Sequence, residues 1–284
     1  MKEVLERHRF CASLASEVAD GPSFAHKRYK HVRNRDSMQK SGIPHWLAEV
    51  DDLSEAARRF GEVGCVVVLV CEENPPAGLP PSLPSEMTGT PRLGRRGFLL
   101  RRQVARQLAS AITGFGADRF VINASAGGAP AMSGPGEPLW LSLSCRGGTS
   151  LVALARMPIG VDIEMEVATD DIPVNVLRDD ERKALNACSP GQRGVHFSKL
   201  WARKEALAKA LHLGFVLAPE AIRISEEAPP SVRLDGQWRT LRARLDVARI
   251  EIRSGTCATF ALALLSSPDA SAMTDADLPR REPL

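Results

Sequence analysis

The sequence predicts an α+β fold made of two α+β subdomains, a pseudo-twofold pair with antiparallel sheets and a long helix in each half. Three observations carry this prediction. Cys65 to Cys71 (CVVVLVC) is a β-branched run bounded by Gly64 and Pro75-Pro76, the pattern of a buried strand. Two stretches, about Arg95 to Ala111 and Val195 to Leu213, read as long helices. Alternating runs at Ala221 to Ser225, Ser231 to Leu234, Thr240 to Leu245, Arg249 to Arg253 and Ala258 to Leu265 read as one antiparallel sheet.

In chain order, residues 1–60 are polar and broken by Gly21, Pro22, Gly42 and Pro44, which predicts an extension of unassigned role. Its basic run His26-Lys27-Arg28-Tyr29-Lys30-His31 reads first as a solvated arm. The N-terminal half, 61–157, begins with the strand at Cys65, and Asn74 to Gly94 forms a Pro/Gly/Ser-rich loop. In the helix that follows, Arg95, Arg96, Arg101, Arg102 and Arg106 recur at helical spacing, while Phe98, Leu99, Val104 and Leu108 can face inward. A connector from Gly127 to Pro138 leads to strands at Leu139 to Leu143 and Ser150 to Arg156, a hairpin around Gly147-Gly148.

The C-terminal half, 158–265, opens with the strand Ile159 to Glu164. A helix from Asp179 to Ala187 takes Asp179 as its cap and Pro190-Gly191 as its stop. Gly214 is placed to close the long helix that follows. The polar tail, 266–284, reads as disordered. A cleft between the halves is where a ligand is expected.

Composition narrows the function. With 44% hydrophobic residues the chain has apolar surface enough for a core, and a net charge of +3 without one long basic tract gives no argument for nucleic acid. Six cysteines without a CxxC pair suggest neither zinc nor a disulfide framework, so free thiols in a reducing cytoplasm are expected. The N-terminus is charged, and no apolar run reaches the ~20 residues of a membrane span.

The chemistry concentrates in two short segments. Asp162 and Glu164 are two residues apart, so on a strand their carboxylates share one face and call for a cation. Trp201, Glu205 and Lys209 recur at i, i+4 and i+8 along one helical stripe, with Lys204 beside it. If that stripe packs over the strand, Glu205 becomes a third carboxylate, and three oxygen ligands without His or Cys suit Mg²⁺. Each piece also has a plain alternative: a solvated strand edge, a helix-stabilising Glu205–Lys209 pair, a core tryptophan. Only their combination points to a site.

That combination resembles the 4'-phosphopantetheinyl transferases of the surfactin-synthetase-activating type. Their G-(I/V)-D-(I/V)-E strand reads here Gly160-Val161-Asp162-Ile163-Glu164, and their W-x-x-K-E-A-x-x-K helix reads Trp201-Ala202-Arg203-Lys204-Glu205-Ala206-Leu207-Ala208-Lys209. A weaker similarity runs from about Cys65 to Leu265. The resemblance implies that Asp162, Glu164 and Glu205 hold Mg²⁺ against the diphosphate of coenzyme A. Glu205 takes the proton of a serine on an acyl or peptidyl carrier protein, and Lys209 neutralises the departing 3',5'-ADP. Lys204 meets the nucleotide or Glu205 from the side, and arginines of the R-x-F-L-x-x-R-x-x-L-R segment, here Arg95, Arg96 and Arg102, meet the 3'-phosphate. A cytoplasmic monomer is implied, its carrier met by Glu166 to Arg193.

The chain also departs from the pattern. Where the family has G-K-P and N-x-S-H-S, it reads Gly128-Ala129-Pro130 and Ser142-Leu143-Ser144-Cys145-Arg146. The lysine and histidine expected at the coenzyme A phosphates are missing, which leaves Ser144 in the family's place and Arg146 as a replacement charge. Two other functions compete with transfer: a non-catalytic descendant that still binds a carrier or nucleotide, and an unrelated metal-dependent phosphohydrolase. The latter needs a water-activating group, and the histidines after the strand, His196 and His212, both fall in the long helix.

Overall fold

The computed structural model of the chain describes residues 44, 46–49, 53–87, 94–125, 128–213, 217–252 and 257–266. The basic run at 26–31, Gly214 and the tail beyond 266 lie outside the described residues. The fold is α+β, with sheets that are antiparallel apart from one short parallel pairing.

The first sheet has the order β1-β2-β6-β5, from β1 (Leu47–Glu49), β2 (Cys65–Cys71), β5 (Trp140–Arg146) and β6 (Thr149–Ala155). Strand β6 sits between β2 and β5, and every residue of its TSLVALA run is buried, which explains the absence of polar alternation. Helix α1 (Leu53–Val63) and helix α3 (Arg95–Thr113) pack on this sheet, and Ala56, Phe60, Leu100, Val104 and Leu108 join Val66, Val68, Val152 and Leu154 in one core. Four-residue α2 (Pro84–Met87) lies between β2 and α3, and β3 (Val121–Ala124) pairs with β4 (Pro130–Ser133) as a separate hairpin.

The sheet that carries the acids has the order β11-β12-β7, from β7 (Ile159–Met165), β11 (Ala243–Glu251) and β12 (Cys257–Leu265). Helices α4 (Asp179–Ala187) and α5 (Pro190–Ala210) intervene, and β8 (Ile222–Arg223), β9 (Ser231–Leu234) and β10 (Gln237–Thr240) form a third small sheet. One topology therefore occurs twice: strand, long helix, then a hairpin whose last strand enters the centre. It reads β2, α3, β5, β6 in the first sheet and β7, α5, β11, β12 in the second.

Several expectations need correction. Strand β1 and helix α1 precede Cys65, and Trp46 and Phe60 are buried, so folded structure begins before residue 61. Pro190 does not stop a helix but opens α5 at its first turn, where a missing N–H costs nothing. Arg178, not Asp179, is the N-cap residue of α4, and Glu181 returns its carboxylate to the Arg178 backbone N–H at 2.9 Å. The segments at 240–245 and 249–253 contribute to one continuous strand, β11, and the runs after 221 divide between two sheets.

Helix α5 runs antiparallel to β7 at very short range. A Cβ on Gly160 would stand 1.8 Å from Ala206 O and 2.5 Å from Ala210 N, and one on Gly194 would stand 2.0 Å from Val167 O. Between these points the Ser198 hydroxyl donates to Met165 O at 3.1 Å. The helix presents Gly194, Ser198, Ala202, Ala206 and Ala210 at every fourth position, all buried. Only small side chains allow such an approach, so Gly160→Ala is expected to destabilise the fold by at least ~2 kcal/mol. Urea unfolding measures this, and an unchanged midpoint would contradict the close packing.

Candidate active site

Gly160 directs its missing side chain at α5, and the period of two on a strand turns Asp162 and Glu164 toward the same face. Their cross-strand neighbours on β12 are Ala261 and Thr259, small enough to leave space above the sheet. From α5, Lys209 Nζ donates to Asp162 Oδ1 at 2.6 Å and to Val161 O at 3.2 Å. The glycine contact thus brings the helix close enough for an ammonium to reach a buried strand carboxylate.

Strand β5 contributes the third wall. Ser142, Ser144 and Arg146 alternate along it and meet Val161, Asp162 and Glu164 of β7. Ser142 Oγ accepts the Val161 N–H at 3.0 Å, Ser144 Oγ donates to Asp162 Oδ1 at 2.8 Å, and Arg146 Nε lies 3.5 Å from Glu164 Oε2. Ser144 also accepts from Lys209 Nζ at 3.1 Å. The site therefore stands where the two large sheets meet, assembled from β5, β7 and α5.

The electrostatics report crowded negative charge. Burial, and then the nearby Asp162 carboxylate, raise Glu164 to about 8, although Arg146 and Lys209 pull it down. Burial and Asp162 likewise raise Glu205 to about 7 against the opposing pull of Lys209. Burial disfavours the Lys209 charge, yet Asp162, Glu205 and Glu164 outweigh it and hold the ammonium above its ordinary range. All three acids and the lysine thus act on one another, as the sequence pattern expects.

Among the described residues no three acidic, histidine or cysteine side chains stand in metal-coordinating positions; the cation that Asp162 meets is Lys209. The residues nevertheless fit a further cation. Asp162 Oδ2 is buried without a hydrogen-bond partner. Burial first, and the Asp162 charge second, disfavour ionised Glu164 and Glu205, and a nearby cation would offset both effects. Oxygen-only donors of this kind suit a hard divalent ion.

Other expected site residues lie elsewhere. Lys204 is buried on a neighbouring face of α5, where Nζ donates to Glu181 Oε2 at 2.6 Å and to Pro219 O at 2.9 Å. It ties α4 and the segment after α5 to the helix rather than facing the acids. Trp201 stacks on Phe197, with ring centroids 6.0 Å apart, and packs on the small core of Ile172, Val176, Leu177 and Leu185. On α3, Arg101 pairs with Glu72 at 2.9 Å and Arg106 is buried against Glu86 at 3.3 Å, so both hold the fold. Arg95 and Arg96 are exposed in its first turn, and the Arg102 guanidinium lies 3.4 Å from the Phe98 ring centroid. That first turn is linked to the site: Glu72 packs against Gly97, its backbone N–H donates to Gly148 O, and Gly148 belongs to the turn just after Arg146.

Residues 158–264 match the 4'-phosphopantetheinyl transferase superfamily. The match spans β7 through most of β12 and contains Asp162, Glu164, Glu205 and Lys209; β5, with Ser144 and Arg146, lies before it. No match was found among curated proteins. Superfamily similarity and site geometry thus coincide on β7 and α5.

Sequence reasoning anticipated the acids but missed what positions them. Ser142 gave no chemical signal, although its alternation with Ser144 and Arg146 on a strand was visible. The four-residue spacing of small residues from Gly194 to Ala210 was equally visible, and it explains why a glycine precedes the acidic pair.

The raised carboxylates give a pH prediction. With metal chelated, the folded state holds more protons on Glu164 and Glu205 than the unfolded state does between about pH 4.5 and 8. Stability must fall as pH rises through that window. Thermal midpoints should drop from pH 5 to 8 in the wild type and drop less in Glu164→Gln; equal slopes would contradict the assignment.

Proposed function

We propose that this chain transfers the 4'-phosphopantetheine group of coenzyme A to a serine hydroxyl of an acyl or peptidyl carrier protein, releasing 3',5'-ADP. The observation that carries the reading is the meeting of Asp162, Glu164, Glu205 and Lys209 from two elements inside the stretch that matches the superfamily.

Asp162, Glu164 and Glu205 would hold Mg²⁺, whose charge offsets that of the coenzyme A diphosphate. Glu205, which burial and Asp162 make more basic than an ordinary carboxylate, would accept the serine proton. The serine oxygen then bonds to the phosphorus that carries the pantetheine arm. The bond from that phosphorus to the bridging oxygen breaks, and the electron pair leaves with 3',5'-ADP. Lys209 supplies positive charge for the 5'-phosphate oxygens of 3',5'-ADP as the diphosphate bridge breaks, as electrostatic stabilisation of phosphoryl transfer requires. Ser144 orients it by accepting from Nζ while donating to Asp162.

Arg146 stands one residue beyond Cys145, where the family's histidine is absent, and its guanidinium already reaches Glu164. In this reading it restores positive charge beside the phosphates. Arg95, Arg96 and Arg102 receive the 3'-phosphate, for which planar guanidinium forks suit a dianion. The protein acts as a monomer, and no described helix is long and apolar enough to cross a membrane.

Incubation with coenzyme A, Mg²⁺ and a panel of apo carrier domains should raise the mass of a carrier by one phosphopantetheine group. Glu205→Gln should lower the rate by about 10²- to 10⁴-fold. A mass gain undiminished in that variant would contradict the assigned role, and no gain with any carrier would contradict the reading. Arg146→Ala should raise the KM for coenzyme A about tenfold; an unchanged KM would remove Arg146 from the phosphate site.

A further inference from the structure

Three guanidinium groups surround one exposed indole on the small sheet β8–β10. The Cζ atoms of Arg223, Arg178 and Arg233 lie 4.5, 5.0 and 5.8 Å from the centroid of Trp238. Strand register produces the cluster. Trp238 is directly opposite Arg233, and Arg223 is opposite Ser231, two residues before Arg233, so all three side chains leave the same face. Ile222 and Val232 leave the other face and enter the core.

The fold does not require this arrangement. Strand β10 is exposed at every residue, and Trp238 retains 37% of its surface in water. Arg223 and Arg233 are exposed, and no carboxylate among the described residues pairs with either; Arg178 pairs with Asp180 at 2.9 Å. Each stacked guanidinium gains little from the ring at such an exposed site, while the three like charges repel one another. An aromatic anchor ringed by arginines is the composition of an interface centre, and it is relieved by carboxylates from outside.

Hydrogen bonds link the cluster to the helix that carries Glu205. Arg178 precedes α4, and its backbone N–H donates to the same Glu181 oxygen that receives Lys204 Nζ. Lys204 is the chain neighbour of Glu205. Resting on the function proposed above, we infer that the face formed by Trp238, Arg223, Arg233 and Arg178 docks an acidic surface of the carrier protein while its serine enters beside Glu205. Exposed Asp179, Asp180 and Asp235 around the cluster oppose a continuous phosphate backbone but leave room for discrete carboxylates.

Steady-state transfer to the carrier domain that the wild type modifies fastest tests the inference. Arg223→Glu with Arg233→Glu, and separately Trp238→Ala, should each raise the carrier KM roughly tenfold, leaving the coenzyme A KM unchanged. Raising salt should weaken carrier binding by the wild type more than by the charge-reversed variant. Transfer by the wild type with an unchanged carrier KM in both variants overturns the docking face alone. Absence of transfer by the wild type overturns the function and the face together. Tighter binding of a single-stranded oligonucleotide than of the carrier, lost in the same variants, would assign the face to nucleic acid and overturn the inference.

Discussion

The approach of α5 to β7 is the constraint on which the rest of this structure depends. Two backbones can come this close only where one side chain is missing and its counterparts are small, and the chain meets that condition at both ends of the contact, with Gly160 beneath Ala206 and Ala210, and Gly194 against Val167. A larger residue at either point would lift the helix. Lys209 would then lose its reach to Asp162 Oδ1, and Glu205 would move away from the acids on the strand. Packing, in this part of the molecule, determines the electrostatics.

The electrostatics are unfavourable in isolation, and this is informative. Burial, and then the neighbouring Asp162 carboxylate, raise Glu164 to about 8 and Glu205 to about 7, against the pull of Lys209 and, at Glu164, of Arg146. Carboxylates shifted by burial together with a specific charged neighbour are characteristic of functional sites. Asp162 Oδ2 is one of several buried polar atoms without a hydrogen-bond partner among the described residues. Away from the site, Arg106 pairs with Glu86 and Lys204 with Glu181.

Much of this was legible in the sequence where a residue acts through its own chemistry and local spacing. The acidic pair on a strand, the Glu205–Lys209 stripe and the two long helices follow from periods of 2 and 3.6. What was not legible depends on the partner across space. Lys204 sits beside Glu205 in the chain, but the helix turns it about 100° away, into a buried pair whose other member is 23 residues distant. Arg101 and Arg106 share the helical face periodicity of a ligand-binding row, yet Glu72 and Glu86 claim them. Pro190 looked like a stop because proline both ends and begins helices, and only the register of α5 decides which. Strand β1 and helix α1 were hidden by a polar, proline-bearing context, although Trp46 and Phe60 are deeply buried.

The central proposal is that Asp162, Glu164 and Glu205, carried by elements held together in the β7–α5 contact, would bind a single divalent ion. Electron paramagnetic resonance of Mn²⁺, titrated in the presence of coenzyme A, measures this directly. The account predicts one bound ion per chain in the wild type, and binding that is strongly weakened in Asp162→Asn and in Glu205→Gln. Equal Mn²⁺ binding by wild type and both variants would contradict it.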